Sequence, residues 1–414
     1  MERVVLHVDA NSFYASVAVL YRPELRGKAV SVCGDPAERH GIVLASTREA
    51  KKCGVKTGMA IWQARQACPE LICVPPDYPL YVHFSQMMRE IEESWTDRVE
   101  AFGLDENWME LTEPGFTMAD GARAADAIRC RVREELGITV SVGVSFNKVL
   151  AKLGSDMKKP DAVTVLDAAG WRERVWPLPV SDLLYVGPRT TRKLLPLGIR
   201  TIGDLARAPT QVMESRFGKN GLMIRAFACG LDTAPVRRSD LSEVIKSVGN
   251  SATAPHDVVT AEQARCVCYL LAESVGARLR EAGCRCRSVS LSVRRTDMVW
   301  AGHQRVLPRP TNITAEIGAA ACALWADRFA DWLPLRSLGV SVGMLTADSA
   351  PMQTELFGEE TRRRLEALDA SLDSLRRRFG HQVVHRGIVL TDRDFAEVNP
   401  KEEHTVHPVA FLRA

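Results

Sequence analysis

Three carboxylates occupy positions where an ionised side chain is hard to explain by solvation alone. Asp9 ends the β-branched run Val4-Val5-Leu6-His7-Val8, and Asp105 and Glu106 stand side by side in the stretch Val99 to Thr112. An acid at the end of an apolar strand is costly unless it is solvated, paired or bound to a cation. Strand-end acids gathered at one sheet edge supply the hard oxygen ligands of a Mg²⁺ site, with waters and phosphate oxygens completing the octahedron. Two such ions roughly 3.5–4 Å apart activate a 3′-hydroxyl and stabilise a leaving pyrophosphate. The spacing also allows a plainer reading, in which Asp9 caps a helix and Asp105-Glu106 is only a turn.

To converge, those acids need a sheet. Periodicity predicts a strand ending at Asp9, a helix from Ser12 to Leu20 closed by Arg22-Pro23, and a strand from Ala29 to Cys33 stopped by Gly34. Residues 42 to 70 read as two helices interrupted at Gly54 and Gly58. Val99 to Thr112 reads as two strands around a tight acidic turn. An amphipathic helix over about 117 to 136 and a strand from Thr139 to Val144 follow, so the first portion is α/β or α+β. Residues 167 to 235 read as short helices separated by Gly and Pro, with Arg and Lys at the turns, and 236 to 245 as a polar linker. A second α/β unit is expected over about 246 to 345: a helix at 259 to 282, strands at 286 to 295 and 299 to 307, a helix at 313 to 329 and a strand at 336 to 345. After Asp348-Ser349-Ala350-Pro351 the globular pattern lapses into a tail with an amphipathic helix at about 359 to 379.

Composition sets the outer limits. A chain of 414 residues implies two to four compact units, and 46% hydrophobic with 25% charged residues is the mix of a soluble protein. Lys and Arg number 54 against 51 Asp and Glu, a net charge of +3. That balance excludes a chain that coats nucleic acid with bulk positive charge; an anionic partner must be met by local patches. No apolar stretch approaches the ~20 residues of a membrane span, and the eleven cysteines read as reduced thiols of a cytoplasmic protein. Cys266-x-Cys268 and Cys284-x-Cys286 are spaced too tightly for the usual Cys-x₂₋₄-Cys zinc pair.

Five segments, in order, resemble the signatures of Y-family translesion DNA polymerases, the DNA polymerase IV (DinB-like) branch. They are His7-Val8-Asp9-Ala10-Asn11-Ser12-Phe13-Tyr14-Ala15-Ser16-Val17, Leu104-Asp105-Glu106-Asn107-Trp108-Met109, Ser141 to Lys148, Ala151 to Pro160, and Lys246-Ser247-Val248-Gly249. The resemblance implies an α+β right hand. Its α/β palm would be residues 1 to 10 and 78 to 166, its small fingers 11 to 77, its helical thumb 167 to 235 and its α/β little finger 246 to 345, with a tail over 346 to 414. It implies low-fidelity, template-directed addition of deoxynucleotides without proofreading. The metals, Mg²⁺ or also Mn²⁺, would be held by Asp9, Asp105, Glu106 and the Ala10 carbonyl, with Glu106 the catalytic carboxylate.

By the same resemblance Tyr14 is a steric gate against the incoming sugar, and Phe13 beside it reads as core packing. Lys159 matches a phosphate-contacting lysine. Lys51 replaces an arginine and loses its bidentate fork, while Arg48 and Ala45 stand where tyrosine and threonine are usual. Asn107 and Trp108 replace a small residue and a tyrosine. Tyr185-Val186-Gly187-Pro188-Arg189 resembles a phosphate-gripping helix–hairpin–helix whose first glycine is Tyr185 here. Lys246, Arg285 and Arg287 suit a duplex backbone, the last two alternating on one strand face. Gln353, Leu356 and Phe357 resemble a bacterial sliding-clamp-binding peptide, here followed by further chain. The expected partners are primer–template DNA, deoxynucleoside triphosphates and the clamp, with the protein a monomer. A catalytically weak DNA-binding accessory of the same fold stays as the alternative, and a nucleotide cyclase would share the acids but need neither basic thumb nor little finger.

Overall fold

The computed structural model describes residues 3–34, 41–241, 245–353 and 358–399, which fall into two bodies that divide after residue 241. The first body opens with β1 (Val5–Ala10) and α1 (Phe13–Tyr21). It continues through β2 (Val30–Cys33), β3 (Val43–Ser46), α2 (Arg48–Lys52), α3 (Ile61–Ala67) and β4 (Ile72–Val74). Next come α4 (Tyr78–Glu93), β5 (Val99–Ala101), β6 (Glu106–Glu110), α5 (Met118–Arg131), β7 (Val140–Ser145), α6 (Lys148–Met157) and β8 (Val163–Leu166). Helices α7 (Trp171–Val175), α8 (Pro188–Leu194), α9 (Ile202–Arg207) and α10 (Thr210–Ala228) complete it.

The main sheet runs β5-β6-β1-β7-β8, so the strand that carries Asp9 lies at its centre. Every residue of β1 is buried, as expected of a strand covered on both faces. Val4, Leu6, Val8 and Ala10 join the core under α4 and α5, whereas Val5 packs with Trp108 and Ala151 on the α6 side. Side chains alternate along a strand, so His7 and Asp9 share the α6 face with Val5. Helix α6 comes unusually close there: a Cβ at Gly143 of β7 would lie 1.9 Å from the Ala151 carbonyl oxygen and 2.5 Å from the Ser155 nitrogen. The second sheet, β3-β2-β4, is small, and a third core gathers the helices after β8.

Two elements depart from expectation. Residues 43–46 form strand β3, antiparallel to β2, where a helix was expected; a four-residue Val-Leu-Ala-Ser segment carries no period of its own, and pairing decides it. Helix α4 lies where no element was expected, and it begins inside Pro75-Pro76-Asp77-Tyr78-Pro79. Proline fits the first helical turn, where no intrahelical amide donor is needed, and Asp77 caps the turn by accepting from the Leu80 amide at 3.1 Å. The stretch read as a polar linker starts packed: Val236 is buried, and the Arg237 amide donates to Glu100 Oε2 at 3.0 Å.

Helix α4 also buries an acid. Glu92 is fully enclosed, and burial pushes its carboxyl up to about 8, with Asn107 and Arg89 beside it offsetting only part of that cost. The folded state therefore keeps a proton that the unfolded chain gives up near its ordinary value, and stability falls as pH rises from about 4.5 to about 8. We expect Glu92→Gln to remove a slope approaching about 1.4 kcal/mol per pH unit. Chemical denaturation from pH 5 to 8 checks this; parallel stability curves for the two proteins would refute it.

The second body contains β9 (Ser247–Val258), α11 (Ala261–Glu281), β10 (Cys284–Arg295), β11 (Trp300–Thr311), α12 (Thr314–Arg328), β12 (Leu335–Gly343), β13 (Thr346–Ala347), α13 (Glu359–Phe379) and α14 (Arg393–Glu397). Its antiparallel sheet runs β11-β10-β12-β9, with β13 paired to β10 and helices α11 and α12 packed against it. Strand β9 was not expected, since its Gly, Ser, Asn and Pro depress strand propensity. The larger correction concerns the chain after Pro351, which does not lapse. Val389 and Phe395 sit in the core of this body, and α13 is fastened to it by ion pairs. Asp369 Oδ2 accepts from the Thr314 amide at 2.7 Å and faces Arg280 Nη1 at 3.3 Å, while Glu273 receives Arg376 and Arg386, each at 2.8 Å.

Candidate active site

The register of β1 against β6 sets Asp9 opposite Glu106 and His7 opposite Trp108. Cross-strand neighbours on one face lie about 5 Å apart, so the two acids are held together by the ladder itself. Asp105 occupies the β5–β6 turn, closed by the Phe102 amide donating to the Glu106 carbonyl at 2.8 Å. Its own carbonyl accepts from the Ala10 amide at 2.8 Å, which ties the turn to the end of β1.

Two ammonium groups neutralise the acids. Lys152 Nζ lies 2.9 Å from Glu106 Oε2, 3.1 Å from Asp9 Oδ2 and 3.4 Å from Asp156. Lys159 Nζ lies 2.7 Å from Asp9 Oδ1 and 2.8 Å from Asp156. Burial works against charge on both lysines, but the surrounding carboxylates outweigh it and hold them well protonated. Burial, reinforced by Glu106, raises the Asp9 carboxyl; burial together with Glu106 and Asp9 pushes Asp105 up to about 7. Such crowding of buried acids marks a site that favours added positive charge.

His7 is fully buried and held neutral, pushed down to about 3 by burial and by Lys152. Its Nδ1 meets Ser155 Oγ at 2.9 Å, and its Nε2 lies 3.4 Å from Glu106 Oε2. Neither of those facing atoms has an aligned hydrogen bond. Ligand atoms of His7, Asp9 and Glu106 lie within 4.8 Å of one another, a donor set fit for a divalent cation. Asp105 stands beside that trio rather than within it. His7 and Lys152 are the site residues that sequence reasoning missed. The available signal was the spacing Lys148, Lys152, Ser155, Asp156, which lines one side of α6, with Lys159 just beyond its end.

The other expected residues scatter more widely. Phe13 is buried in the core, and Tyr14, half-buried, stacks on Tyr81 with ring centroids 4.3 Å apart and planes at 15°. Burial, with Asp105 nearby, raises the Tyr14 phenol, so it stays protonated. On α2, Lys51 donates to Ser12 Oγ at 2.8 Å and Arg48 is exposed. Gly187 immediately precedes α8, and Arg189 lines an open cavity.

In the second body, Lys246 and Arg287 are exposed. The expectation that Arg285 shares an open strand face with Arg287 is corrected: Arg285 Nε binds Asp348 at 2.5 Å and its other end approaches Glu366, so β13 and α13 hold it. Gln353 is exposed, whereas Leu356 and Phe357 lie outside the described residues.

Comparison with known proteins places the chain in a family. The impB/mucB/samB family model matches residues 8–156, and the model of that family's C-terminal domain matches residues 245–356. DNA polymerase IV of Acetivibrio thermocellus is 47% identical over 95% of this chain and 99% of its own. DNA polymerase IV 1 of Bacillus subtilis is 36% identical over 94% of this chain and 93% of its own. Among solved structures, a Y-family DNA polymerase chimera of Dbh and Dpo4 superposes with a TM-score of 0.73 at 24% identity, covering 83% of this chain and 99% of that one. An insertion ternary complex of Dbh DNA polymerase gives a TM-score of 0.60 at 23% identity, covering 82% and 98%. With both family models matched and relatives aligned along nearly its whole length, this chain belongs to the impB/mucB/samB family, the DinB-like branch of the Y-family DNA polymerases.

Proposed function

We propose that this DNA-directed DNA polymerase extends primers by metal-assisted phosphoryl transfer at Asp9, Asp105 and Glu106, with low fidelity and across damaged templates. The reading is carried by one observation: Asp9 and Glu106 face each other across a ladder, next to Asp105, in a pocket where Lys152 and Lys159 pair with the acids. Asp9, Asp105, Glu106 and the Ala10 carbonyl would hold two Mg²⁺ ions, or Mn²⁺. The chemistry such ions would supply there is Lewis acidity towards a 3′-hydroxyl and a leaving pyrophosphate.

The protein's own groups do the positioning. Lys159 and Lys51 offer point charges to the triphosphate, Arg48 extends that reach from α2, and Lys152 holds the two facing carboxylates in place. Exposed Lys246, Arg287 and Arg189, with the Gly187 turn, offer contacts to the phosphates of primer–template DNA; Arg285 is omitted because its charge is spent on Asp348. In this reading residues 78–166 with β1 are the palm, 11–77 the fingers, 167–235 the thumb and 246–345 the little finger. The enzyme works as a cytoplasmic monomer recruited by a sliding clamp through Gln353, Leu356 and Phe357.

Single-nucleotide extension of a primer–template by the purified chain, with Mg²⁺ and with EDTA, tests this reading; absence of metal-dependent synthesis would refute it. In this reading Tyr14, held by its stack on Tyr81, serves as the gate against the incoming sugar. Tyr14→Ala should raise ribonucleotide incorporation at least tenfold relative to deoxynucleotide in the same assay, and unchanged discrimination would remove Tyr14 from that role.

A further inference from the structure

Two cavities in the first body share a wall, and that wall is the ring of Tyr185. One, about 500 Å³, is lined by the aromatic rings of Phe102, Trp108, Tyr185 and Phe227. The other, about 650 Å³, presents Arg189, Lys193 and Arg216. None of these three cations pairs with an acid among the described residues, whereas at the edge of the aromatic cavity Glu100 is paired with Lys148 and Arg237, and the one further acid there, Asp232, accepts from the Ala234 amide at 3.1 Å.

The aromatic cavity adjoins the acids. Phe102 and Gly103 belong to the turn that carries Asp105, and a Cβ placed on Gly103 would lie 3.4 Å from Asp105 Oδ1. Rings on one side and free cations on the other match the two halves of a nucleotide, a flat base and a phosphate. A 500 Å³ space holds a base with room to spare.

Tyr185 itself has an unusual backbone. Its φ of +66° lies in the left-handed region, which costs a side chain about 1 kcal/mol or more and which glycine occupies freely. Its ring is 56% exposed and therefore recovers little of that cost by burial. A strained, exposed aromatic between a ring-lined cavity and a basic one is explained by a planar ligand.

We propose that this double cavity takes an unpaired nucleotide from the 3′ end of the primer, its base among the rings of Tyr185, Phe102 and Phe227 and its phosphate on Arg189, Lys193 and Arg216. A mispaired end then has a parking place beside the reacting acids. The inference rests on the polymerase reading, and it adds a site and a ligand to it.

The test uses the full chain and two fluorescent primer–templates, one fully paired and one with an unpaired primer-terminal nucleotide, with affinity read by anisotropy. Tyr185→Gly suits the left-handed backbone, and the paired DNA reports on folding, since a folding defect would weaken both DNAs alike. It should weaken binding of the unpaired end about tenfold and change binding of the paired end less than twofold, and Phe102→Leu should act in the same direction. A 5-iododeoxyuridine at the unpaired end should photocrosslink to Tyr185 or Phe102. Equal weakening of both DNAs, or crosslinks confined to other residues, would overturn the site. Wild-type protein that binds neither DNA would instead overturn the polymerase reading.

Discussion

Asp105→Asn should stop synthesis and at the same time make the protein harder to melt. The first effect follows from the proposed role of Asp105 as a metal ligand, which the amide would fill poorly. Several kcal/mol of transition-state stabilisation rests on such ligands, and that is roughly a thousandfold in rate. The second follows from burial and from the carboxylates of Glu106 and Asp9, which push the Asp105 carboxyl up to about 7.

In the unfolded chain this acid ionises near its ordinary value, so folded stability is complete below that pH and is lost as pH rises towards about 7. The amide escapes this penalty. In EDTA, the melting temperature of the variant should therefore exceed wild type at pH 8 and match it near pH 4. Synthesis at the wild-type rate would remove Asp105 from the chemistry, and a lower melting temperature at pH 8 would show that its charge is compensated in the fold.

Gly143→Ala should be the most damaging single methyl group in the first body. The new Cβ would stand 1.9 Å from the Ala151 carbonyl oxygen and 2.5 Å from the Ser155 nitrogen, both of them backbone atoms of α6 that have no rotamer to change. The helix must move, at about 3 kcal/mol or more. Lys152 and Ser155 move with it, and these two groups hold Glu106, Asp9 and His7. Activity should therefore fall at least a hundredfold even at temperatures where the variant stays folded, because an ångström of misplacement is costly at a reacting centre. Gly302→Ala is the matched control: its Cβ meets nothing nearer than 3.6 Å and should leave both melting and synthesis unchanged. Primer extension and calorimetry on the two variants decide it; full activity in Gly143→Ala would mean that α6 does not set the site.

What could be read from the chain depended on where its constraints lie. The strand under Asp9, the acidic hairpin and α11 to α13 were legible because long apolar periods and a tight turn are local properties. β3 and β9 were not, since short or glycine-rich strands exist only through their partners. The three acids were visible as acids, but their counter-charges were not: Lys152 is 143 residues from Asp9, and the packing of α6 on β1 and β7 brings them together. Arg285 was misjudged for the same reason, since the alternation that pointed it outward is a backbone property while Asp348 and Glu366 come from elsewhere.

The docked extension also changes what a premature stop codon would mean for this gene. Losing the chain from α13 onward would not trim an appendage; it would empty the places of Val389 and Phe395 and strand Glu273 and Arg280 without their counter-ions. Selection that keeps the second body intact must therefore reach as far as residue 399, and frameshifts downstream of α12 are expected to be purged as severely as lesions among the central strands.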